Sequence, residues 1–140
     1  MPVRAELYQV SSAPPDAVWA VVGNPRRLPD WTDVTGVESV NPEPVQVGTE
    51  VVTVGDDGVR SWLVTTAEPR LLELEADTPR GRFGLGCRVA LDQRGSRLIL
   101  AARLDASGLR AQLLEGPALR RRLDRWCNAA LEAAGGPAEG

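Results

Sequence analysis

Two consecutive runs late in the chain, RFGLGCRVAL at residues 82–91 and RLILAARL at 97–104, constrain the fold more than any other feature. In the first, Phe83, Leu85, Cys87, Val89 and Leu91 alternate with Arg82, Gly84, Gly86, Arg88 and Ala90; in the second, Leu98, Leu100, Ala102 and Leu104 alternate with Arg97, Ile99, Ala101 and Arg103. A period of two sends successive side chains to opposite faces of a strand. The link DQRGS is too short for a crossover, so the runs predict antiparallel neighbours with one apolar and one mixed face. A sheet of that kind is covered on one side only.

The last part of the chain supplies the cover. Leu119, Leu123, Trp126, Ala130 and Ala133 recur at helical spacing, with Arg121, Arg125, Asn128 and Glu132 on the other side. Upstream, Leu109, Leu113 and Leu114 fall out of that register, and Gly116-Pro117 between the two portions predicts a kink or a short break. The tail GGPAEG reads as a frayed end.

Working backwards, further strands are predicted at Val34–Val40, Thr49–Val54, Val59–Thr66 and Leu71–Ala76, ahead of Arg82–Leu91 and Arg97–Ala106. Their separators NPEPVQVG, GDDG, AEPR and DTPRG are turn-forming, and Gly81, Gly84 and Gly86 stand where a long strand would have to bend. At the start, Val3, Ala5 and Leu7 oppose Arg4, Glu6 and Tyr8 in a first strand. In SSAPPDAVWAVVGNPRRLPDW, Pro14 and Pro15 suit a first helical turn and Asp16 lies at the positive end of a helix dipole. Val18, Trp19 and Val22 share a face of that helix, Gly23-Asn24-Pro25 stops it, and a second short turn, Pro25 to Asp30, delivers Trp31. The fold class is therefore α+β: a seven-stranded curved antiparallel sheet, two short helices after the first strand, and a long carboxyl-terminal helix across the concave face. One helix touches a bent sheet along a line, which leaves volume for a pocket beside it.

Composition narrows the chemistry. At 140 residues, 43% apolar and 25% charged, the chain fits one folded domain, with a core at about residues 3–135. The leading MPVRAELYQV has no signal-like apolar core and no window suits a membrane span, which predicts a cytoplasmic protein without stable membrane insertion. The net charge of −3 argues against a nucleic-acid partner. All 16 basic residues are arginine, and there is no histidine, the commonest neutral-pH base and metal ligand. Cys87 and Cys127 read as separate buried small hydrophobes, and no phosphate loop, zinc spacing or dinucleotide fingerprint is present, so neither a cofactor nor a metal is expected.

SAPPDAVWAVVGNPRRLPDW, SWLVTTAEPRLLELE and the amphipathic last helix together resemble the START-like superfamily (helix-grip, SRPBCC), and within it the bacterial polyketide cyclase/dehydrase and lipid-transport family. The resemblance covers about residues 3–135 and implies a cavity between helix and sheet that holds an apolar or amphipathic molecule. It also implies a range of activities, from lipid or hormone carriage to polyketide ring closure. Cyclising members bring polar side chains into the pocket, often histidine, tyrosine, arginine or aspartate; this chain lacks histidine, and its one tyrosine, Tyr8, alternates onto the outer face.

Candidate ligand-binding residues are Trp31, Trp62, Phe83, Leu85, Cys87, Leu98, Leu100, Leu123 and Trp126. Trp19 reads as core, Trp31 as either a pocket lip or a plug at the sheet end, and Trp62 has an ambiguous phase because Leu63 beside it is also apolar. Glu73, Glu75, Arg88 and Arg103 alternate onto the outer face and Glu50 does not; no catalytic residue is assigned. Cys87 would need a neighbouring base to act as a nucleophile. Asp30 and Asp33 read as turn residues flanking Trp31, and the run Arg120–Arg125 as a solvated face interrupted by Asp124. The leading reading is binding or carriage of a hydrophobic or aromatic small molecule. The alternatives are a cyclase or dehydratase, and a ligand-free homodimer pairing through a sheet edge or Leu113 and Leu114.

Overall fold

The computed structural model describes residues 2–105 and 109–139, the side chains of 109–114 and 138–139 excepted, so Leu113 and Leu114 lie outside the described side chains. The chain runs β1 (Val3–Ser11), α1 (Pro15–Val22), a 3-10 helix (Pro25–Asp30), β2 (Gly36–Asn41), β3 (Glu50–Gly55), β4 (Gly58–Glu68), β5 (Leu71–Thr78), β6 (Gly81–Asp92), β7 (Gly95–Asp105), α2 (Leu109–Ala133) and β8 (Ala138–Glu139). The strands form one antiparallel sheet in the order β2-β3-β4-β5-β6-β7-β1-β8. β2 to β7 are a meander, and β1 closes beside β7 in register from Val3 opposite Leu104 to Ser11 opposite Ser96.

The predicted alternation is realised. Phe83, Leu85, Cys87 and Val89 of β6, and Leu98, Leu100, Ala102 and Leu104 of β7, are buried on the inner face of the sheet. Leu91, assigned to the same face, is 78% exposed because it sits at the β6–β7 turn, beyond the packed interior. Thr49, just ahead of β3, and Val51 and Thr53 within it are the buried set, so Glu50, expected inward, faces out and accepts a hydrogen bond from Ser61 Oγ at 2.9 Å. The pairing of β6 continues unbroken past Gly84 and Gly86; the register shifts that add twist are bulges at Val37/Ser39 in β2 and Val64/Thr66 in β4.

In α1, Pro15 stands at the first helical position and Pro14 is the extended residue before it. Asp16 joins the sheet through Arg70 Nη2 at 2.8 Å. Val18, Val21 and Val22 are the buried residues, while Trp19 is half-buried and lays its indole over Gly23; a Cβ on that glycine would lie 2.4 Å from the ring, so a larger residue there displaces Trp19.

α2 passes through Gly116-Pro117 without the expected break in helical assignment. It packs chiefly against β1, with β7 next. Leu119, Leu123, Trp126 and Ala130 are buried as their spacing predicts, but Ala133 is exposed, and Cys127 and Leu131 complete the buried face. A straight helix drifts about 20° per seven residues against a strict heptad, so the inward stripe moves on by one position towards its end. The tail is held instead of frayed: β8 pairs with Val10 and Ser11, and Ser11 Oγ donates a short hydrogen bond to the Gly136 carbonyl. Gly136 lies so close to Ser11 and Ala13 that a Cβ would meet them at 2.5–2.6 Å. Among the described residues no helix is long and apolar enough to cross a membrane.

Candidate functional site: a cleft beside the long helix

Because α2 lies over β1 and β7, the inner face of β3 to β6 extends beyond it. The antiparallel order gathers the β3–β4 turn, the β5–β6 turn, the loop ahead of β2 and the first half of α2 at one end of the molecule. There the structure encloses a cleft of about 730 Å³, well within the size range of small-molecule sites. Its walls are apolar: Trp62 from β4, Phe83 and Leu85 from β6, Leu104 from β7, and Leu119 and Trp126 from α2. Trp62 and Phe83 meet edge to face with centroids 5.8 Å apart, and Trp62 Nε1 donates to Thr53 Oγ1 at 3.0 Å, which locks the indole plane against the sheet.

The rim is charged. Arg80 of the β5–β6 turn reaches across to α2 and binds both oxygens of Glu115, at 2.8 and 2.9 Å. Asp33, on the loop leading to β2, accepts from Arg125 Nη2 at 3.2 Å on each oxygen, which ties that loop to the same helix. Arg60, Asp56 and Asp57 come from the β3–β4 hairpin and Arg122 from α2. Arg122 stands over the Trp126 ring, 6.0 Å from its centroid.

Of the nine candidate residues, Trp62, Phe83, Leu85 and Trp126 line this cleft. Leu98, Leu100, Leu123 and Cys87 are placed in the sealed core, each at most 1% exposed. Trp31 is 2% exposed and packs edge to face on Trp126, 6.3 Å between centroids, without itself lining the cleft. Neither Trp31 Nε1 nor Trp126 Nε1 has a hydrogen-bond partner among the described residues.

Arg60 was not among the candidates. Its inward orientation follows from the phase of β4, in which Arg60 precedes the buried Trp62 and Val64 at spacings of two, but the neighbouring Leu63 hides that phase in the sequence. Asp33, a turn residue by its sequence, and Arg125, part of a solvated face by its sequence, meet across 92 positions, and no local pattern announces that contact.

Cys87 and Cys127 are both free and buried, as expected. Burial raises the Cys87 thiol far above its ordinary range, with the neighbouring Cys127 adding to the rise. Burial, and then the charge of Asp124, push Cys127 up to about 12. Neither lines the cleft, and no histidine exists to activate them. A second hollow, of about 350 Å³, lies on the outer sheet face around Gly84 and Gly86, flanked by the exposed Arg4, Glu6, Glu73 and Arg103; among the described residues no element covers it.

Known proteins place the fold. A protein from Mesorhizobium loti, MLL2253, superposes with a TM-score of 0.72 at 14% identity, over 94% of this chain and 96% of its own. A protein from Rhodobacter sphaeroides gives 0.67 at 20% identity, over 95% and 93%. The di-domain ARO/CYC StfQ from the steffimycin biosynthetic pathway gives 0.70 at 13% identity, over 96% of this chain but 49% of the StfQ chain, so one copy of the fold here corresponds to half of that protein. No curated protein matches the sequence. The family model described as polyketide cyclase / dehydrase and lipid transport matches residues 2–134, and with the curved sheet gripping its last helix the chain belongs to that family.

Proposed function

We propose that the protein holds an apolar or aromatic small molecule in the cleft between α2 and the inner face of β3 to β6. The observation that carries this reading is the cleft itself: about 730 Å³ left open at one end of an otherwise packed interior, with indole, phenyl and leucine walls. Each methylene or equivalent apolar patch that a ligand buries there contributes about 0.8 kcal/mol, and the polar rim sets its orientation. The family supports the reading, since its description spans lipid transport as well as cyclisation.

A second reading, ring closure or dehydration of a polyketide-like substrate, takes support from the inward Arg60 and from the likeness to StfQ. It stands behind carriage because the described lining residues include no cysteine, histidine or tyrosine. The cleft then offers threonine hydroxyls, carboxylates and guanidinium groups but no nucleophile paired with a neutral base.

Titration with N-phenyl-1-naphthylamine, an uncharged fluorescent hydrophobe, tests the proposal. Saturable binding is expected, weakened at least about tenfold in Leu119→Trp, whose indole fills the cleft. Probe binding that ignores Leu119→Trp would overturn it. Native mass spectrometry of the full chain adds a check: a retained small molecule should be displaced by the probe.

A further inference from the structure

We infer that the molecule held in the cleft is an aromatic acid whose carboxylate is received by Arg60, with Arg122 as the second cationic group; this rests on the cleft-binding reading and adds the chemical class of the ligand. Three guanidinium groups line the cleft, and they are not equivalent. Arg80 is engaged, its Nη1 donating to both oxygens of Glu115. Arg60 has its nearest carboxylate, that of Asp57, at 4.0 Å, and Arg122 has Asp33 at the same 4.0 Å, beyond hydrogen-bond reach in both cases. Neither donates a side-chain hydrogen bond to any described residue.

The burial of the two partners differs. The Arg60 side chain is 25% exposed, whereas Asp57 beside it is 76% exposed and remains in water. The Arg60 guanidinium, largely withdrawn from solvent and without a hydrogen-bond acceptor among the described residues, is placed to receive an anion entering the cleft. The rim carboxylates do not serve that purpose: Asp33 is engaged by Arg125 from outside, and Asp56 and Asp57 are exposed on the hairpin turn. Arg60 lies two residues from Trp62 on the same strand face, and Arg122 stands over Trp126. Each cation therefore adjoins an aromatic wall, the arrangement that a flat ring bearing a carboxylate matches.

The experiment compares 2-naphthoate, 2-naphthamide and 2-naphthylmethylamine by tryptophan fluorescence titration, with N-phenyl-1-naphthylamine as the uncharged reference. A charge-assisted hydrogen bond lost on Arg60→Gln should weaken 2-naphthoate about ten- to a hundredfold, and 2-naphthamide far less. Arg122→Gln should cost a smaller factor, and Arg103→Gln, on the outer face, none. Unchanged N-phenyl-1-naphthylamine affinity in Arg60→Gln shows that the cleft is intact. Equal affinity for acid and amide, or tighter binding of the amine, overturns the inference while leaving cleft binding in place. If no compound binds, including the uncharged reference, cleft binding itself is overturned.

Discussion

The two halves of the interior share one helix and one sheet face, yet they are built differently. Over β1 and β7, α2 sits close, and Leu98, Leu100, Leu123 and Cys127 are wholly withdrawn from solvent. Over β3 to β6 the same face carries larger, stiffer side chains, Trp62 and Phe83, and ends in charged turns around an open cleft. Leucines that interdigitate with a helix at native density leave no room for a guest. Two aromatic rings fixed edge to face keep their shape when nothing lies against them, so the open half holds its form without being filled. Trp126, with Trp31 against it, marks the seam: one surface closes the packed half and another lines the cleft.

The largest test of this division is Leu123→Ala. Truncating a fully buried leucine in the sealed half should lower stability by about 2–5 kcal/mol in urea denaturation. A cost below about 1 kcal/mol would mean that this half is as loosely filled as the other. Next in size is alkaline pH. Both thiols are buried away from the cleft, with folded-state pKa values above the ordinary 9.0. Their stabilising contribution is complete below about pH 9 and is lost as pH rises towards the folded values, at about 1.4 kcal/mol per thiol per pH unit. No lysine competes in that range. Unfolding free energy should therefore fall between pH 8 and 10.5, and the double variant Cys87→Ala, Cys127→Ala should flatten the curve; equal slopes would show the thiols to be solvated.

The open half should respond in the opposite sense. Phe83→Leu should cost under about 1.5 kcal/mol because the removed ring borders space, yet it should weaken N-phenyl-1-naphthylamine binding several-fold. A stability loss like that of Leu123→Ala would close the cleft as a concept. The smallest effect belongs to Arg80→Gln. Its pair with Glu115 crosses the rim with Arg80 65% exposed, so stability should stay within about 0.5 kcal/mol in the same denaturation assay.

What could be read in the sequence and what could not divide along the same line. Strands, turns and the covering helix were legible because period-two and period-3.6 patterns are local; even the antiparallel order followed from link lengths. Where α2 lies across the sheet depends on the sum of its packing contacts, and no single position in 109–133 encodes it. Leu98 and Leu100 share the inner sheet face with Phe83 and Leu85 and differ from them in how far they lie from the helix, while Leu123 belongs to the same inward stripe of α2 as Trp126. Arg60 escaped for a narrower reason. β4 has apolar residues at both Trp62 and Leu63, and it is the folded sheet that turns Trp62 inward and carries Arg60 with it.

The perpendicular indoles at the seam have an optical consequence. Trp31 and Trp126 are held at 90° with centroids 6.3 Å apart, close enough for their electronic transitions to couple, and such coupling yields a dichroic signal whose amplitude depends on the geometry of the two rings. A guest pressing on Trp126 would rotate one transition dipole against the other. Occupancy would thus be written in the chain's own chromophores as a change of aromatic ellipticity, visible without any label.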